Sequence, residues 1–179
     1  RETAAKLGES PTGNARAIGY NFPPIVRMTN TIIEQGEATL ADLLEGVDDG
    51  VYVRNWYGGM TQHEMFTFSS GEAYMIRNGE IQEAVRPVML TGNLFETLKN
   101  LDGVGNDLDM NQGGGCGKGG QSPLPVSNGS PHIRIQKYIR RLSSVIGRHP
   151  KRNKNILNSG THCLVINKNS NIVGYTKLI

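Results

Sequence analysis

The sequence predicts an α+β fold that is rich in β-strand, mostly antiparallel, with a few short helices. Three observations point there. Glycine is abundant, at 23 of 179 residues, and hydrophobic residues make up 37% of the chain, a balance that suits short strands and many turns better than a helical bundle. Asn78-Gly79, a pair favoured in type I′ turns, lies between strand-like runs at 73–77 and 80–88 and marks a hairpin. Helical apolar spacing is confined to short segments, whereas alternation of apolar and polar residues recurs along the chain.

Taken in order, residues 1–16 start helix-like and end in the turn Pro11-Thr12-Gly13-Asn14. Pro23-Pro24 blocks helix, and 25–33 reads as a strand. Thr39 is placed to cap a helix over 40–47, with Leu40, Leu43, Leu44 and Val47 on one face. Asp48-Asp49-Gly50 ends it, and Val51-Tyr52-Val53 begins a strand. Residues 64–68 alternate, with Met65 outside the pattern. A helix over 94–101 would align Leu94, Leu98 and Leu101, and 104–110 returns to strand. Residues 111–121 read as loop, and Ile133 and Ile135 alternate with basic residues as in an amphipathic strand. From about 141 the texture turns to lysine, asparagine and serine, with one apolar patch at 163–166 that reads as an edge strand or as part of a poorly ordered tail.

The net charge of +3 hides an asymmetry: all 16 acidic residues lie at or before Asp109, and 11 of the 19 Lys/Arg lie after it. A basic tail could draw nucleic acid or an acidic partner, but neutralisation by the acidic remainder is the simpler reading, and nucleic acid is not the expected partner. No run of about 18 apolar residues occurs, so no membrane-spanning helix is expected. Two cysteines, Cys116 and Cys163, and no export signal fit a reducing cytoplasm. The chain starts without methionine, which reads as a fragment, a processed form or a trimmed chain.

The chemistry-bearing stretch is Gly113-Gly114-Gly115-Cys116-Gly117-Lys118-Gly119-Gly120-Gln121-Ser122. A phosphate-binding P-loop would need glycine at 112 and Ser or Thr at 119, where Gln112 and Gly119 stand. His63-Glu64 opens like a zinc-protease helix, but Thr67 and Phe68 stand where a second histidine is needed. His132, His149 and His162 show no ligand spacing with Cys116, and no general base is evident beside it. Lys118 is placed to lower the thiol pKa. Cys116 is thus a candidate metal ligand or nucleophile without companions in this sequence.

Five motifs in this order carry a resemblance: Pro11-Thr12-Gly13-Asn14-Ala15-Arg16; Arg27-Met28-Thr29-Asn30-Thr31; Gly71-Glu72-Ala73-Tyr74-Met75-Ile76-Arg77-Asn78-Gly79-Glu80; Gly103-Val104-Gly105-Asn106-Asp107-Leu108; and Gly115-Cys116-Gly117-Lys118-Gly119-Gly120-Gln121-Ser122. Together they resemble the C-terminal half of the TldD/PmbA metalloprotease family, on the catalytic TldD side, over residues 1–140. The resemblance implies a β-rich C-terminal domain of a zinc-dependent peptidase that cleaves unfolded or modified peptides. It implies that Cys116 is one zinc ligand, with two histidines and a general-base glutamate coming from a His-Glu-x-x-x-His helix of an N-terminal domain. Gly115, Gly117, Lys118 and Gln121 would be the supporting loop, and dimers with a TldD- or TldE-like subunit would enclose the peptide.

Two departures follow. The sequence contains no His-Glu-x-x-x-His, so the chain alone is expected to be inactive. Residues 141–179 do not resemble the family, and their Asn/Lys/Ile bias would fit a frameshift or read-through. A non-catalytic peptide-binding or subunit-assembly module is the alternative function.

Overall fold

The computed structural model describes residues 2–111 and 113–136, and the backbone of 163–166. Helix α1 (Glu2–Leu7) precedes three two-residue strands, β1 (Ala15–Arg16), β2 (Ile25–Val26) and β3 (Thr31–Ile32), and then α2 (Leu40–Leu44). The long strands β4 (Asp49–Gln62) and β5 (Met65–Arg77) come next, then β6 (Glu80–Val85), β7 (Met89–Asn93), α3 (Leu94–Lys99) and β8 (Leu101–Val104). The rest is strand: β9 (Asp109–Met110), β10 (Gly115–Lys118), β11 (Gln121–Pro125), β12 (Asn128–Ser130), β13 (Ile133–Ile135) and β14 (Cys163–Ile166). The expected α+β, β-rich class holds. Named strands pair antiparallel except β3 with β12 and β4 with β14. No described helix is long and apolar enough to cross a membrane.

A seven-stranded sheet in the order β6-β5-β4-β14-β13-β8, with β7 also on β5, forms the scaffold. Its nucleus is the hairpin the sequence marks: Asn78 and Gly79 take φ of 49° and 79°, the left-handed pair a type I′ turn requires. Strand alternation then sorts side chains to two faces. On one face Val51, Val53, Ala73 and Met75 pack with Phe66, Phe68, Leu90, Leu94, Ile133 and Ile135. On the other Tyr52 and Ile76 meet Leu44 and Val47 beside α2. Thr39 and Asp42 cap α2 reciprocally, the Asp42 carboxylate accepting from the Thr39 N–H at 2.7 Å. A Cβ on Gly103 would lie 2.6 Å from Leu43 Cδ2, so glycine is what lets the helix region close on β8.

Several elements differ from expectation. The strand expected over 25–33 is two short strands in different sheets, with the buried Arg27 between them. Helix α2 stops at Leu44, since Glu45 is extended and Gly46 has φ of 73°. Helix α3 ends before Leu101 and buries Leu94 and Thr97 while Leu98 is exposed. The strand expected over 104–110 is likewise split between β8 and β9. The loop expected over 111–121 contains a strand, β10, that forms a hairpin with β11 around Gly119 and Gly120, both at positive φ. The patch at 163–166 is an interior strand rather than an edge strand. The remainder of 141–179, with His149 and His162, lies outside the described residues.

Ile135 is 1% exposed and sits in the larger apolar cluster. Ile135→Ala should cost about 2–5 kcal/mol of stability in urea denaturation, and Tyr57→Ser, at an exposed position, no more than about 0.5 kcal/mol.

Candidate functional site

Cys116 lies on β10, opposite Leu124 of β11, with a register shift between Cys116 and Lys118. It is a free, half-buried thiol. Its neighbours Gly115 and Gly117 carry no side chain, and Lys118 is exposed. Gln121 is the opposite case, at 2% exposure. Its amide Nε2 donates to the Pro23 carbonyl, and its Oε1 accepts from the Ile18 N–H, both at 2.9 Å. Gln121 is therefore an anchor that fastens the hairpin to the N-terminal segment, and Lys118 a solvent-facing charge. The supporting residues belong to a paired hairpin and not to a free loop, because the Gly119-Gly120 turn lets the chain fold straight back.

The residue that sequence reasoning missed is Arg27. It is 2% exposed, and its Nη2 donates to the carbonyl oxygens of Cys116 and of Gln121, the latter at 3.1 Å. One guanidinium nitrogen thus bridges the two strands of the hairpin beside the thiol. Among the described residues its Nε and Nη1 have no hydrogen-bond partner, and no carboxylate pairs with it. The available signal was a cation set directly after apolar Ile25-Val26.

Burial pushes the Cys116 thiol up, and this is the largest single influence. The Arg27 guanidinium, the Met28 N–H and the charge of Lys118 act the other way and together prevail, so the thiol sits below its ordinary value. Cys116 is thus a thiolate at lower pH in the folded chain than in the unfolded one. Its contribution to stability is full above the unfolded thiol's pKa and is lost as pH falls through the folded value.

The other motifs converge on the same hairpin and on its support. Arg16 Nη2 donates to the Pro125 carbonyl at 2.8 Å, and the Asn30 side chain accepts from the Ser127 N–H at 2.8 Å. Asp107 accepts from the His132 N–H at 3.0 Å and pairs with its Nδ1, while His132 Nε2 meets the Tyr52 hydroxyl at 3.1 Å. This string joins the loop after β8 to the centre of the sheet, with His132 and Tyr52 buried. His63 lies in the turn between β4 and β5. Among the described residues, no group of three or more His, Cys, Asp or Glu side chains is placed to hold a metal ion. The donor set here is one cysteine sulfur, which suits zinc as a ligand but does not make a site.

The profile described as PmbA/TldA metallopeptidase C-terminal domain matches residues 1–139. The chain belongs to this family. It is 55% identical over 139 residues to a metalloprotease of Synechocystis sp., covering 78% of this chain and 30% of that one. It is 40% identical over 138 residues to a zinc metalloprotease TldD homolog of Saccharolobus solfataricus, covering 76% of this chain and 31% of that one. TldE from Thermococcus kodakarensis shares the fold, with a TM-score of 0.53 and 21% identity over 73% of this chain and 27% of its own. The PmbA/TldD-type chain described here thus spans about 30% of the length of the curated relatives it matches.

Replacing Arg27 with methionine should raise the Cys116 pKa and slow its alkylation at neutral pH roughly threefold to tenfold through the lost thiolate fraction. Mass-spectrometric mapping separates Cys116 from Cys163. Lys118→Ala should shift the profile the same way by less, and an unchanged rate in Arg27→Met would refute the electrostatic assignment.

Proposed function

We propose that this domain supplies Cys116 as one thiolate ligand of a zinc peptidase centre whose remaining parts lie outside the sequence. The observation that carries the reading is the thiol itself: free, half-buried, held below its ordinary pKa beside Arg27, and set among exposed glycines in a hairpin. Membership of the metallopeptidase family and the Saccharolobus relative's description as a zinc metalloprotease support the choice of metal.

Zinc, where bound, supplies Lewis-acid chemistry for hydrolysis of a peptide bond. A His-Glu-x-x-x-His segment would bring two histidines and a general-base glutamate. In this chain Arg27 stabilises the thiolate and fixes the backbone on either side of it, Lys118 adds positive charge, and Gln121 holds the hairpin to the N-terminal segment. The glycines leave room for a second polypeptide segment to reach Cys116. The substrates proposed are unfolded or modified peptides, the partners an N-terminal domain and a TldD- or TldE-like subunit, and the setting the reducing cytoplasm, where the thiol stays free.

Alone, the chain should hydrolyse no peptide. Mixed with a separately supplied His-Glu-x-x-x-His domain of a close relative, it should gain zinc-dependent peptidase activity that chelator removes and zinc restores. Cys116→Ala should reduce that activity by at least about a hundredfold. If no mixture gains activity and Cys116→Ala leaves peptide binding intact, the domain is a peptide-binding or assembly module instead.

A further inference from the structure

The central sheet is completed by a strand from outside the family-matching region. Strand β14 lies between β4 and β13, which do not pair with each other. It runs parallel to β4, with Cys163 opposite Gly50, Leu164 opposite Val51, Val165 opposite Tyr52 and Ile166 opposite Val53. It runs antiparallel to β13, with Leu164 opposite Ile135 and Ile166 opposite Ile133. Strands β4 and β13 each have their other neighbour, β5 and β8, within residues 1–139, yet β14 lies beyond the matched residues. Among the described residues of the matched region, none lies between these two strand edges.

That gap is at the heart of the core. Val51, Val53, Ile133 and Ile135 are each no more than 2% exposed. Unpaired backbone N–H and C=O groups at such a depth are strongly unfavourable, so the slot demands an occupant. Main-chain pairing on both sides provides most of the recognition, and it asks only for an uncharged, β-forming segment. Cys163-Leu164-Val165-Ile166 meets that requirement between a flank rich in lysine and asparagine on each side. Recognition through these pairings uses the backbone of the strand on both sides.

We infer that the slot between β4 and β13 is a strand-acceptor site, filled here in cis by Cys163–Ile166, and that it takes in trans an extended, uncharged aliphatic strand running parallel to β4. Its occupancy involves neither Cys116 nor zinc, so the inference stands apart from the proposed peptidase role.

The test uses the full chain and a labelled synthetic peptide of residues 160–169. Val165→Pro in the full chain removes a backbone donor and breaks the cis strand. Fluorescence anisotropy should then show one-to-one uptake of the peptide about tenfold tighter than by the unaltered chain, whose slot is already filled. The same peptide carrying Val165→Pro should not bind. In the unaltered chain, excess peptide should speed hydrogen exchange at 163–166 while leaving the β5–β6 hairpin unchanged. If Val165→Pro costs the chain its fold, peptide should restore the circular-dichroism spectrum. Failure of uptake or restoration, equal binding of the proline peptide, or exchange at 163–166 as fast as in the free peptide before any addition would overturn the inference.

Discussion

The hairpin that carries Cys116 depends on one buried cation. Arg27 bridges the carbonyl oxygens of Cys116 and Gln121 through a single guanidinium nitrogen, and its own backbone N–H donates to the Asn14 carbonyl at 3.0 Å. Burying a guanidinium is costly unless its charge is answered. Here two carbonyl dipoles answer it, and the same guanidinium lowers the pKa of the Cys116 thiol. Hydrogen bonds to a charged group contribute about 1.5–3 kcal/mol, so this bridge outweighs any single neutral contact of the hairpin. The short strands β1 and β2 add little apolar burial of their own. They are held to the hairpin by Arg16, Gln121 and Arg27.

A second set of polar contacts holds the loop after β8 and the entry to β13. Asp107 receives both the backbone N–H and the ring Nδ1 of His132, and the Tyr52 hydroxyl closes the other side of the ring. Arg134 then pairs with Asp102 at 3.0 Å and donates to the carbonyls of Leu43 and Glu45. Residues 102–107 and 131–134 thus form one polar seam between α2 and the sheet, while Ile133 and Ile135 point into the apolar cluster on the other side. Along 132–135 the division of labour follows strand alternation: Ile133 and Ile135 make core, and His132 and Arg134 make the seam.

Much of this was legible from residues. The Asn78-Gly79 turn, the Thr39 cap, the Ile133/Ile135 alternation and the family all follow from local chemistry or motif order. What was not legible depends on long-range pairing. Gly113 to Gly120 has the composition of a loop, and only its pairing with Gln121–Pro125 makes part of it strand. Arg27 stands in a family motif, but its role beside Cys116 is not legible because its partners lie 89 and 94 residues away. Cys163–Ile166 shows its strand character in sequence but not its interior place, since its neighbours β4 and β13 are distant in the chain and one pairing is parallel. The site is legible to the extent that one thiol in a glycine-rich setting stands out; its charged support is not.

The central claim is that Cys116 is a zinc ligand whose companions lie in another segment. X-ray absorption at the zinc edge, on this chain assembled with a His-Glu-x-x-x-His domain, tests it most directly. The account predicts one sulfur scatterer at about 2.3 Å beside nitrogen and oxygen ligands, and loss of that sulfur in Cys116→Ala. A shell of nitrogen and oxygen alone, unchanged by Cys116→Ala, would contradict it.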